Sequence, residues 1–169
     1  MAVKVAQEWF AICGGCEVTI LDVGEPLLDV LPELEFVHMP VIMDHKLYGQ
    51  TGEESAMDIP EADVGIISGG VRNEENKKLA ELMRSRVNTL ISMGSCATSG
   101  GVPALANQSP LEDLYERVYR GNSTTDPGET PTGDVPALLD RAYALHEVVK
   151  VALDLPACPT TPGRLVAAL

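Results

Sequence analysis

Residues 63–94 read DVGIISGGVRNEENKKLAELMRSRVNTLISMG, a complete strand, helix and strand in 32 residues. Asp63 to Ser68 is a short continuous apolar run, the pattern of a strand buried on both faces, and Gly69 and Gly70 close it. From Asn73 to Val87 the apolar side chains Leu79, Leu82 and Met83 share one helical face and charges occupy the other. Asn73 is placed to cap that helix. Asn88 to Met93 is a second buried strand, ended by Gly94. Strands of this kind joined through a helix predict parallel pairing.

The pattern extends in both directions. Upstream, residues 3–12 (VKVAQEWFAI) read as a strand, and Glu17 to Leu31 as a helix that Pro26 should kink or split. Residues 34–42 (LEFVHMPVI) read as a strand that Pro40 assigns to a sheet edge, followed by a polar loop from Asp44 to Ile59. Downstream, a short irregular helix is expected from Ala97, and a helix from Ser109 to Tyr119 with Pro110 at its first position. Gly121 to Gly133 is a loop of turn residues. A helix over Val135 to Ala144, a last strand over Glu147 to Leu153 and a short helix from about Thr161 complete the chain. There is no internal repeat. The mostly alternating order predicts one α/β domain over residues 1–169. Its expected form is a flavodoxin-like, doubly wound, mostly parallel sheet.

Composition bounds the function. The 169 residues are 45% hydrophobic, which excludes a disordered polymer. No apolar run is long enough to span a bilayer, and no secretory leader precedes the first strand, so the expected compartment is the cytoplasm. A net charge of −13 argues against nucleic acid and anionic membrane as partners. It suits either solubility or a basic partner subunit.

The chain has four cysteines, Cys13, Cys16, Cys96 and Cys158. The first two form Cys13-Gly14-Gly15-Cys16; the third lies in Gly94-Ser95-Cys96; the fourth precedes Pro159. Each group follows a predicted strand, and open α/β sheets bind ligands beyond the carboxyl ends of their strands. Four thiolates are what a 4Fe–4S cube requires, and the neighbouring glycines let backbone N–H groups approach the sulfurs. Other readings stay open on spacing alone. A structural zinc site usually shows two close pairs, and here only one pair is close. A redox C-x-x-C would need neither Cys96 nor Cys158. Disulfides are unexpected in a cytosolic chain, and four buried, inert thiols are the plainest alternative.

Other residues carry weaker signals. His38, His45 and His146 are scattered and read as surface or core histidines. Glu17 adjoins Cys16 and is either a neighbour of the site or an exposed first-turn acid. Ser68-Gly69-Gly70 and Ser99-Gly100-Gly101 could cradle a flavin phosphate, although no G-x-G-x-x-G or P-loop is present. Lys77, Lys78, Arg84 and Arg86 read as a solvated helix face.

The segments CGGCEVTILD (13–22), DVGIISGGVRNEENKKL (63–79), ISMGSCATSGGVPAL (91–105) and PACP (156–159) resemble the small subunits of nickel–iron hydrogenases. They resemble in particular the short delta or Y-type subunit of the soluble NAD-reducing hydrogenase. The resemblance covers nearly the whole chain. It implies a flavodoxin-like fold and a proximal 4Fe–4S cluster bound by Cys13, Cys16, Cys96 and Cys158. It also implies a large subunit carrying the Ni–Fe centre, and iron–sulfur and flavin diaphorase subunits carrying FMN and binding NAD. The implied role is electron relay in the oxidation of hydrogen by NAD, with no catalysis by this chain alone. A hydrogenase using coenzyme F420 or sulfur, or a complex I-like cluster subunit, is the alternative. The complex I relatives have adjacent cysteines where this chain has Cys13 and Cys16 separated by two glycines. Larger hydrogenase relatives have a glutamate before the first cysteine; here that position is Ile12, which puts a proton-relay role in doubt.

Overall fold

The structure, a computed structural model, describes residues 2–41, 43, 46–49, 51–124 and 126–168. Along the chain lie β1 (Val3–Trp9), α1 (Gly15–Leu21), α2 (Pro26–Val30), β2 (Leu34–His38), β3 (Ala62–Ser68), β4 (Val71–Asn73) and α3 (Glu74–Arg86). There follow β5 (Val87–Met93), α4 (Gly94–Ser99), α5 (Leu111–Tyr115), β6 (Leu138–Tyr143), β7 (Leu153–Leu155) and α6 (Pro162–Val166). The main sheet has the order β2-β1-β3-β5-β7, and every pairing in it is parallel. With β4 and β6 set aside, this is the flavodoxin-like strand order.

Neighbouring strand residues point to opposite faces, and both faces are covered. Ala6, Ile67 and Leu90 pack against Leu79, Ala80 and Met83 of α3. Val5, Ile66 and Ile91 pack with Leu155, with Cys16 of α1 and with Leu165 of α6. The continuous apolar run 63–68 is thus the centre of the sheet. β2 lies at one edge, as Pro40 implies, and β7 at the other.

Helix α3 has the predicted start. The Asn73 Oδ1 accepts from the Asn76 N–H at 2.7 Å, which satisfies one of the N–H groups left open at a helix N-terminus. An Asn73→Ala substitution is expected to cost about 1 kcal/mol. In a domain of this size that corresponds to a melting point lower by roughly 2–4 °C, readable by thermal denaturation. At the other end of α3, Arg84 donates to the carbonyls of Val87 and Asn88 at 2.6 and 3.1 Å, and Arg86 pairs with Asp58 at 2.5 Å. Lys77 and Lys78 are exposed, as expected of a solvated face.

Several expectations are corrected. The helix expected from Glu17 is split at Pro26, as that proline implied, into α1 and α2, but α1 starts at Gly15. The helix expected at Val135 to Ala144 is instead β6, antiparallel to β4. The strand expected at Glu147 to Leu153 is a 3₁₀ turn at Leu145–Glu147 followed by irregular chain, and the strand itself is β7. Val148, Val149 and Val151 still pack against the core, so their apolar character reports burial without a ladder. The irregular helix after Met93 starts at Gly94 rather than Ala97. Pro110 stands at the N-cap of α5, which passes into a π-helical turn at Glu116–Arg120. Ile42, Asp44 and His45, at the end of the second expected strand and the start of the polar loop, lie outside the described residues. Among the described residues no helix is long and apolar enough to cross a membrane.

Candidate metal centre

Three loops leave the carboxyl ends of parallel strands on one rim, and each carries cysteine. Cys13 and Cys16 follow β1, Cys96 follows β5, and Cys158 follows β7. Backbone ties knit these loops together. Ala11 and Gly70 exchange N–H···O bonds of 3.1 and 3.0 Å, fastening the loop after β1 to the turn after β3. The Ser95 N–H donates to the Ala157 carbonyl at 2.8 Å, fastening the loop after β5 to that after β7. The Thr19 hydroxyl lies 3.0 Å from the Thr160 carbonyl and 3.1 Å from that of Gly15, fastening α1 to the segment beyond Cys158. Arg164 of α6 donates to the Pro156 carbonyl at 2.9 Å.

Two glycines make these approaches possible. Gly69 has φ +86°, and a Cβ there would lie 2.8 Å from the Phe10 carbonyl carbon. Gly94 has φ +83°, and a Cβ there would lie 2.3 Å from Cys16 Sγ. Both conformations disfavour an L side chain. The backbone of the cysteine-bearing loop therefore lies directly against the Gly69 corner. In the second candidate cradle, the Ser99 hydroxyl donates to the Ser95 carbonyl at 3.0 Å.

Cys16 and Cys96 are buried, whereas Cys13 and Cys158 are exposed. Burial pushes the Cys16 thiol pKa up. The Thr160 N–H directed at it opposes this, and negative charge on Glu17, Cys96 and Cys13 adds to the rise. Burial also raises Cys96, opposed by the Val102 N–H, with Cys158 and Cys13 adding to the rise. These couplings link all four sulfurs electrostatically. Among the described residues no three His, Cys, Asp or Glu side chains converge on a single ion.

Sequence reading missed a buried polar layer behind these loops. Glu17 is 6% exposed. Its Oε1 accepts from the Ser68 hydroxyl and from Gln7 Nε2, the latter at 3.2 Å, and its Oε2 is buried without a hydrogen-bond partner. The exposed first-turn reading of Glu17 is therefore wrong. His38 is fully buried against Glu8, with Nε2 to Oε2 at 2.7 Å, and is a core histidine. Gln7 and Glu8 adjoin each other in the strand expected over residues 3–12, a signal that could have marked this layer. Beside Cys13 opens an apolar cleft of about 610 Å³, lined in part by Trp9, Glu17, Val18, Leu21, Leu31 and Phe36. Val18 is 54% exposed and Leu21 66%.

Residues 13–169 match the family described as NADH ubiquinone oxidoreductase, 20 Kd subunit. The chain belongs to this family. The match begins at the first cysteine and takes in all four. Among named relatives, the chain is 36% identical over 170 residues to a subunit of the F420-non-reducing hydrogenase (vhu) of Methanocaldococcus jannaschii, covering 100% of this chain and 55% of that protein. It is 34% identical over 162 residues to the NAD-reducing hydrogenase HoxS subunit delta of Cupriavidus necator, covering 93% of this chain and 72% of that one. It thus spans about half the length of the first of these relatives. Among solved structures it superimposes on a chain of an NAD⁺-reducing [NiFe]-hydrogenase in the H2-reduced state with a TM-score of 0.85 and 30% identity, over 96% of this chain and 86% of that one. Within the 20 Kd subunit family, these similarities place the chain among the hydrogenase small subunits.

Proposed function

We propose that this chain is the electron-relay small subunit of a nickel–iron hydrogenase, with Cys13, Cys16, Cys96 and Cys158 holding one 4Fe–4S cluster. The observation that supports the reading is that the four cysteines follow three strand ends on one rim, where the loop after β7 is tied both to the loop after β5 and to α1. The donor set fits the group. Four thiolates match its four irons, and Gly94 keeps the space beside Cys16 Sγ free of a side chain. Such a cluster supplies one-electron transfer between the Ni–Fe site of a large subunit and the next carrier.

The chain's own residues do the rest. Binding as thiolates would release the protons of the four thiols. N–H groups of Thr160 and Val102 directed at the Cys16 and Cys96 sulfurs stabilise the anionic site. The exposed Cys13 and Cys158, with the apolar cleft beside Cys13, present the site to a partner. In this reading the partner is the large subunit.

For the acceptor, we propose NAD by way of a flavin-bearing diaphorase. The fit to the NAD⁺-reducing enzyme at a TM-score of 0.85 supports it. A second reading, a hydrogenase with an acceptor other than NAD, has the 36% identity to the F420-non-reducing hydrogenase subunit in its favour. Iron and acid-labile sulfide in the anaerobically purified complex, with EPR of the dithionite-reduced sample, test the relay itself. About four of each attributable to this chain, with a reduced-cluster signal, are expected. Zinc in their place, at full occupancy, would end the proposal. Hydrogen-driven reduction of NAD by the same preparation separates the two acceptors.

A further inference from the structure

We infer that Thr160 spends its hydroxyl hydrogen bond on sulfur of the proposed cluster and thereby raises its reduction potential. The inference rests on the cluster reading above and adds to it a residue that tunes the site. Thr160 is 1% exposed, and its Oγ1 is buried without a hydrogen-bond partner in the protein. An unpartnered buried hydroxyl is costly and calls for an explanation.

The backbone of Thr160 is fixed at both ends. Its N–H is directed at the Cys16 thiol. Its carbonyl is held by the hydroxyl of Thr19 at 3.0 Å, from a side chain only 2% exposed and 141 residues away in sequence. Pro159 offers no N–H, so Thr160 is the first residue after Cys158 able to donate. The hydroxyl proton is therefore left over on a residue two positions after Cys158, whose carbonyl is tied to α1, the helix that carries Cys16. A hydroxyl rotor can turn to whichever acceptor is present, and sulfur accepts weakly until it carries charge. Reduction adds an electron to the cluster and negative charge to its sulfurs, so the hydrogen bond strengthens in the reduced form and favours it. Thr19 acts as a positioning residue, since its hydroxyl holds the Thr160 carbonyl.

The test is an EPR-monitored redox titration of the purified complex carrying Thr160→Val, which removes the hydroxyl and keeps the branched shape. The midpoint is expected to become more negative with iron content unchanged. A tenfold fall in the reduced-to-oxidised ratio at fixed potential corresponds to a shift of about 59 mV for a one-electron couple. Thr160→Ser is expected to restore the wild-type midpoint, and Thr19→Val to shift it in the same direction by less. An unchanged midpoint in Thr160→Val with a full cluster overturns the inference and leaves a buried water as the partner of Oγ1. Should Thr160→Val fail to hold the cluster, Thr160→Ser decides. A serine variant loaded at the wild-type potential supports the hydroxyl; one that is also empty shows that shape is what matters, and overturns it. Iron absent from the wild-type chain refutes the cluster reading itself, a separate outcome.

Discussion

A Cys96→Ser variant is expected to lose or damage its cluster and, with it, hydrogen-driven reduction of NAD, while the NADH-to-dye reaction of the diaphorase partners continues. The two activities separate because this chain stands between them in the proposed path. Cys96 alone represents the β5 strand end among the four thiols, so no neighbouring cysteine can replace it. Serine is nearly the same size and fits a site 6% exposed, which keeps the fold out of the measurement. The fall should exceed the roughly 10- to 100-fold that loss of an outer-shell partner costs at metal sites. Iron content and both activities, measured on one preparation, check it. Full iron with normal hydrogen-driven reduction would falsify the ligand assignment.

Gly94→Ala is expected to empty the site with every cysteine still present. Its added Cβ would sit 2.3 Å from Cys16 Sγ, on a backbone with φ +83°. The left-handed conformation alone costs roughly 1–2 kcal/mol for a residue with a side chain, and forcing extra volume into a packed site typically costs about 1–3 kcal/mol more. Cys16 packs with Met93 and Ile91 in the core beneath, so it has little room to retreat. Iron per chain should drop sharply and the melting point of the metal-free protein should fall. Gly163 provides the control. It lies in α6, where an added Cβ would meet nothing within 4 Å and the backbone has no positive φ. Gly163→Ala should therefore stabilise by about 0.4–1 kcal/mol. Two identical substitutions of opposite sign distinguish crowding at the cysteines from a general intolerance of alanine.

The sheet and its rim were legible because they rest on local signals. The apolar run at 63–68, the cap at Asn73 and the one-sided helix that follows all agree with the tertiary structure. The β4–β6 ribbon was not legible, for a definite reason. Val71 and Asn73 pair with Tyr143 and Leu138, so two steps on one strand oppose five on the other. That irregularity leaves the buried residues of β6 at Leu139 and Ala142, a spacing of three that imitates a helix. The valines at 148, 149 and 151 misled in the opposite way, since β-branched residues also suit a buried segment without a ladder. At the site, the cysteines announced themselves by type and position. Thr19, Thr160 and Glu17 could not, because their partners are fixed only by the fold: Thr19 and Thr160 stand 141 residues apart.

The short strand β7 has a consequence for how the protein is made. It pairs with β5 through only Leu153, Asp154 and Leu155, helped by the Ser92 hydroxyl bond to Asp154, whereas β3 and β5 share six paired positions. A nascent chain offers Cys13, Cys16 and Cys96 before Cys158 emerges, and this short strand must dock before the fourth thiol is in place. In the proposed reading, a bound cluster would tie this last segment to the rim through Cys158, which follows β7. In the metal-free protein the amides of β7 should exchange with deuterium well before those of β3, and loading should close that gap.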